Sequence, residues 1–229
     1  TSALLVNTTG GDNVAVGKGT LDANTTASNN TAVGTYSLGA NTTGTQNVAF
    51  GTQALLNNTT ANDNTAMGMN ALFANTTGAR NTSVGSLTLD ANTTGVGNTG
   101  LGYGALSGNT TADNNTAVGE YAVVTNTTGA NNTGIGKAAL YANTTGVNNT
   151  SVGASSLDAN TTGGYNVGIG TDSLTANTTG SQNIAVGHGS LGANTTADNN
   201  TAIGNAALLA NTTGINNVAL GALALDANT

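Results

Sequence analysis

The chain of 229 residues carries 3 basic and 10 acidic side chains, a formal net charge of −7, with 34 glycines, 3% aromatic residues and no proline, cysteine or tryptophan. So sparse a set of bases, with Lys18, Arg80 and Lys137 far apart, excludes a nucleic-acid surface, which needs clustered cations against phosphate. The missing cysteines exclude a disulfide framework and a thiolate metal site. No apolar run approaches the ~20 residues that span a bilayer, so no membrane span is expected in this window.

The sequence is an array with a period of seventeen. Asn-Thr-Thr begins at Asn7 and returns every seventeen residues to Asn211, without one insertion or deletion. Each copy reads Asn-Thr-Thr, Gly or Ala, two variable residues, a second Asn, then Thr, Val or Ile, then Ala, Gly or Ser, then a large apolar residue, Gly, two variable residues, a small residue, Leu (Val123 in one copy), and a short link. A constant period means that each copy superposes on the next, the condition for a solenoid with one repeat per coil. Helix-pair repeats run above thirty residues, whereas seventeen suits a β-coil. The expected fold is therefore all-β, a parallel β-solenoid (β-helix) of about thirteen coils. Residues 1–229 are read as one continuous array, a window of a longer chain, because both ends fall inside a repeat.

Taken in order along one copy, the first element is the Asn-Thr-Thr edge, followed by a turn at Gly10 or Ala27. The segment after the second Asn, such as Val14–Val16 or Val167–Ile169, is β-branched and alternating, and predicts a strand. Alternation places Val14 and Val16 on one face and Ala15 on the other, and the larger pair is expected to point inward. Gly17 opens a turn. Leu21 and its equivalents are expected to line a second inner side. Every charged residue occupies a variable slot and is expected to face solvent, since like charges in successive coils would stand only ~4.8 Å apart. Two large aliphatic groups per coil do not offset the ordering of seventeen residues. Backbone bonds between coils, stacked Asn amides and association with neighbouring chains must supply the rest.

The run Asn-Thr-Ala-Val-Gly at Asn30–Gly34 and Asn115–Gly119 resembles the head repeats of trimeric autotransporter adhesins. The longer phrase from Asn64 to Gly78, NTAMGMNALFANTTG, resembles the repeats of bacterial and phage tail-fibre-like proteins, many of which end in a self-cleaving intramolecular chaperone. The resemblance implies an extracellular, cell-surface or virion-surface fibre that self-associates, end to end or as a trimer. The expected function is a structural fibre or adhesive stalk, with a phage-type tail-fibre shaft or receptor-binding fibre as the alternative.

Asn-Thr-Thr also matches the N-glycosylation pattern, as does Asn-Asn-Thr at Asn29, Asn114, Asn131, Asn148 and Asn199. The pattern leaves the first Thr unexplained. If Asn7 and Thr9 form an inward ladder, Thr8 points outward and can carry an O-linked sugar. The candidate attachment residues are thus Asn7 and Thr8, Asn24 and Thr25, Asn41 and Thr42, Asn58 and Thr59, Asn75 and Thr76, Asn92 and Thr93, Asn109 and Thr110, Asn126 and Thr127, Asn143 and Thr144, Asn160 and Thr161, Asn177 and Thr178, Asn194 and Thr195, and Asn211 and Thr212. A structural Asn ladder is the competing reading of the same residues. Ordered Thr rows also suit ice binding, a minor alternative, although adjacent Thr8 and Thr9 point to opposite faces.

Catalysis has no support: His188 is the sole histidine, and unlike groups must converge for general acid–base chemistry. Asp22, Asp90, Asp158 and Asp226 share one slot but skip coils, so they give no continuous carboxylate row for calcium. No cofactor or metal is expected, and the chain is not expected to be an enzyme.

Overall fold

The structure, a computed structural model, describes residues 2–228. Among them every copy of the repeat makes one coil with one three-residue strand, and there is no helix. The chain is an all-β parallel solenoid with a seventeen-residue coil, as the period requires. It divides into two compact units, Thr1–Asn114 and Asn115–Thr229.

In the first unit the strands are β1 (Val14–Val16), β2 (Thr31–Val33), β3 (Val48–Phe50), β4 (Thr65–Met67), β5 (Thr82–Val84) and β6 (Thr99–Leu101). Each pairs in parallel with the next, Thr65 against Thr82 and Met67 against Val84, always at an offset of one repeat. The second unit repeats the plan with β7 (Thr116–Val118), β8 (Thr133–Ile135), β9 (Thr150–Val152), β10 (Val167–Ile169), β11 (Ile184–Val186), β12 (Thr201–Ile203) and β13 (Val218–Leu220). The main-chain ladder extends past the strands: the N–H of Leu72 donates to the carbonyl of Thr88 at 3.0 Å, and that of Thr76 to Thr93 at 2.9 Å. No proline interrupts it, so each of these positions keeps its donor.

The strand faces are the reverse of the expectation. The small middle residue points inward, with Ala32, Ala49 and Ala66 fully buried. The larger flanking residues point out, Val16 at 57% and Phe50 at 54% exposure. The cause is the narrowness of the coil. Leu21 and its equivalents as far as Leu208 are buried as expected, Leu4 and Leu225 at the ends being partly covered and exposed, and the buried ones reach across to the middle strand residue of the neighbouring coil. A Cβ added at Gly168 would lie 3.3 Å from Leu157 Cδ1, and one at Gly134 would lie 2.5 Å from Val123 Cγ2. One branched side chain fills the width, so the strand opposite can offer only Ala, Ser or Gly. The thirteen charged residues, by contrast, stand at the surface, none of them fully buried, although Asp22, Asp90, Asp158, Asp172 and Asp198 are partly covered.

The interior Leu sits at positive φ in each coil, as at Leu72 (51°) and Leu157 (53°). That region costs an L-residue roughly 1–2 kcal/mol, and full burial of a Leu returns roughly 1.5–3 kcal/mol, so burial holds the conformation. The Gly that ends each strand has a different reason. Gly85 has a φ of +135°, and a Cβ there would lie 2.5 Å from the carbonyl oxygen of Gly102 in the next coil.

Leu72→Ala is expected to cost about 2–5 kcal/mol, whereas Val84→Ala on the outer face should cost less than about 1 kcal/mol. Urea denaturation followed by circular dichroism measures both, and equal losses would contradict the inward assignment. Gly85→Ala should be as damaging as Leu72→Ala, because backbone rather than a flexible side chain blocks it.

Candidate functional site

Two columns of asparagine run through each unit, buried except at the outermost coils. In the first column, Asn92 Nδ2 donates to Asn75 Oδ1 in the preceding coil at 2.9 Å and to the carbonyl of Gly95 in its own at 3.1 Å. Its Oδ1 accepts from Asn109 Nδ2 at 2.9 Å. In the second column, Asn81 Nδ2 donates to the same Gly95 carbonyl at 2.8 Å, and its Oδ1 accepts the main-chain N–H of Asn98 at 2.9 Å. The second unit repeats the pattern at Asn160, Asn166 and Asn177. An amide offers two donors and an acceptor with two lone pairs, and few other side chains could satisfy this set without leaving a buried polar atom bare.

These bonds bear directly on the candidate attachment residues. Asn24, Asn41, Asn58, Asn75, Asn92, Asn109, Asn126, Asn143, Asn160, Asn177, Asn194 and Asn211 are all buried, and Asn7 is half-buried. A sugar on Nδ2 would displace the ladder bond and enter the interior. The first Thr is largely occupied as well: the Oγ1 of Thr42 donates to the carbonyl of Thr59 at 3.1 Å, and Thr161 does the same to Thr178 at 3.0 Å. The main-chain N–H groups of Thr42 and Thr43 converge on that Thr59 carbonyl, at 2.9 and 3.3 Å. This clamp accounts for the first Thr that the glycosylation pattern does not need.

The outward residue of the motif is the second Thr, opposite to the expectation. Thr26, Thr43, Thr60, Thr77 and every equivalent from Thr9 to Thr213 are exposed, and their hydroxyls make no hydrogen bond to the chain. Sequence reasoning missed this row because it treated the edge as a flat strand. The bend at Asn-Thr-Thr, visible only in three dimensions, turns Asn inward and the second Thr outward with the first Thr between.

The outer strand face is the second surface that sequence reasoning missed. Its first residue is Val, Thr or Ile and its last is Val, Ile, Leu, Met or Phe in every coil, and the signal was the restriction of the middle residue to Ala, Ser or Gly. Elsewhere the surface is chemically quiet. His188 stands at 4.0 Å from Asp172 on an exposed flank, Lys137 pairs with Glu120 at 3.3 Å, and Lys18 lies 5.7 Å over the Tyr36 ring. Asp158 accepts from the Thr175 hydroxyl at 2.8 Å, which binds one coil to the next. The described residues contain no pocket and no group of three metal-ligating side chains, and no helix long and apolar enough to cross a membrane.

Comparison with protein-family models, with curated proteins and with solved structures gives no match. The reading of this chain therefore rests on its own geometry.

Asn92→Ala removes two donated bonds, strips the buried Asn75 Oδ1 of its Asn92 donor and takes one of the acceptors of Asn109 Nδ2, and should cost about 2–4 kcal/mol, the desolvation of a buried polar group added to lost bonds. Asn92→Asp, with the same shape but a buried charge at neutral pH, should cost more; chemical denaturation that ranks the two the other way would contradict the ladder. Asp90 gives a pH test. Burial raises its carboxyl above the ordinary value of 3.8, opposed in part by the N–H groups of Asp90 and Ala91. A raised acid penalises the folded state once ionised, fully so above the raised value, and the penalty vanishes below 3.8 where both states are protonated. Asp90→Asn should therefore stabilise at neutral pH and lose that gain as the pH falls toward 3.8; an equal gain in acid would show that the charge is not its source.

Proposed function

We propose that the chain is the shaft of a fibre exposed at a cell or virion surface or shed from it, with length and spacing as its task and no reaction to perform. The observation that carries this reading is the ladder in each unit: coil is bonded to coil by main chain and by Asn amides at an invariant offset, and by Thr hydroxyls from Thr42 to Thr59 and from Thr161 to Thr178, among others. The buried Asn amides are spent on holding the coil closed and one coil to the next. The expected resemblance to adhesin and tail-fibre repeats supports the same reading. A fibre of this kind assembles with copies of itself.

Where a sugar coat is present, its attachment atom in this reading is Oγ1 of the second Thr, as in Thr26, rather than the buried Asn or the clamped first Thr. The row is free, exposed and repeated once per coil. Intact-mass spectrometry of protein from its native source reads this directly. Mass beyond that of the bare chain, 22.0 kDa for this stretch, should map by fragmentation to the second Thr; bare mass, or sugar on Asn24-type residues, contradicts the attachment.

The fibre reading is tested by immunogold electron microscopy on unpermeabilised cells, and on particles shed by them. Gold along external filaments is the expected outcome. Gold seen only after permeabilisation, with none on filaments, would overturn it.

A further inference from the structure

The outer strand face is a continuous apolar ridge in each unit. In the first it includes Val16, Phe50, Met67 and Leu101, between 43% and 57% exposed. In the second, the same position holds Ile135 and Ile169. No coil places a charge at either outward strand position. Exposed polar slots run along both flanks, with Asp63 and Arg80 before the strand and Lys18, Glu120 and Lys137 after it. An apolar band rimmed by polar residues has the composition of an interface, and parallel sheets are ordinarily covered on both faces.

We infer that this ridge is the interface between copies of the chain, a second copy lying along it coil for coil. The argument for that occupant is the spacing. The ridge presents one apolar knob per coil at the strand separation of ~4.8 Å. A partner with any other repeat falls out of step within a few coils and leaves knobs without holes. A compact partner covers only a few coils and leaves the rest wet. A second copy has the same spacing by construction, and its own ridge is equally free of charge, so neither side must desolvate an ion. The inference rests on the reading of the chain as a fibre shaft and assigns the surface through which its copies join.

The test is sedimentation velocity of the whole chain beside two variants. In the first, Phe50→Glu, Met67→Glu and Val84→Glu are combined, placing charges on successive coils of the ridge. In the second, Tyr165→Glu puts one charge on an equally exposed slot beside the ridge. The wild type and Tyr165→Glu should sediment as oligomers, and the triple variant as a monomer with an unchanged circular dichroism spectrum. Phe50 and Met67 are exposed and Val84 is half-buried, and three Glu on successive coils repel one another at ~4.8 Å, so a second set guards against loss of fold. Phe50→Thr, Met67→Thr and Val84→Thr, uncharged and β-branched, should keep the circular dichroism spectrum and weaken association about tenfold or more, equivalent to about 1.4 kcal/mol. A monomeric wild type, or a triple Glu variant that still associates, overturns the inference. A monomeric wild type with gold on external filaments would leave the fibre reading standing and remove only this interface.

Discussion

The carbonyl that follows each Asn-Thr-Thr is the point on which the coil closes. It receives one amide from the first Asn of its own coil and another from the second Asn of the coil before, as Gly95 does from Asn92 and Asn81. One acceptor thereby ties together a turn, the two sides of a coil and two successive coils. A shift of a single residue would withdraw both amides and leave them buried without partners, at roughly 1–3 kcal/mol each. This is a physical reason for a period that never slips. It also bears on why the residue with that carbonyl is Gly or Ala: a Cβ added at Gly95 would lie 2.4 Å from Asn92 Oδ1, so an Ala, as at Ala112, fits only with its neighbours shifted and a larger side chain has less room still.

A polar interior of this kind is thin. With two Asn columns occupying one side, the remaining width holds one Leu and a few small side chains, and the larger apolar residues of the strand have nowhere to go but out. The chain thus places its asparagines inside and its Val, Ile, Met and Phe residues at the surface, against the usual preference for burying the latter. Hydrogen bonding rather than apolar volume is the organising force, which suits a chain with little aromatic content.

The period, the parallel pairing and the position of the strand were all legible in the sequence, because seventeen-residue recurrence and β-branched alternation depend only on spacing. The buried Leu and the solvent-facing charges were legible for the same reason. The inward face of the strand was not. Alternation says that Val14 and Val16 share a side, but the choice of side depends on how far Leu21 and its equivalents reach across a coil whose width cannot be read from one strand. The Asn-Thr-Thr edge was half legible: an Asn ladder was among the readings, whereas the exposed second Thr depended on a bend. The convergence of both Asn columns on one carbonyl, between residues fourteen apart such as Asn81 and Gly95, follows only from the closed coil.

The invariant offset makes the coils interchangeable. Each strand sees its neighbour in one register, each Asn finds the same three partners, and the outer face shows the same chemistry at every step, so a gene that gains or loses fifty-one nucleotides changes the number of coils and nothing else. The reading frame of the DNA and the bonding frame of the protein share one unit. Size in such a molecule behaves as an integer that recombination between repeats can raise or lower, and variants differing by whole coils would be equally well folded, giving selection a dial for reach that leaves the fold untouched.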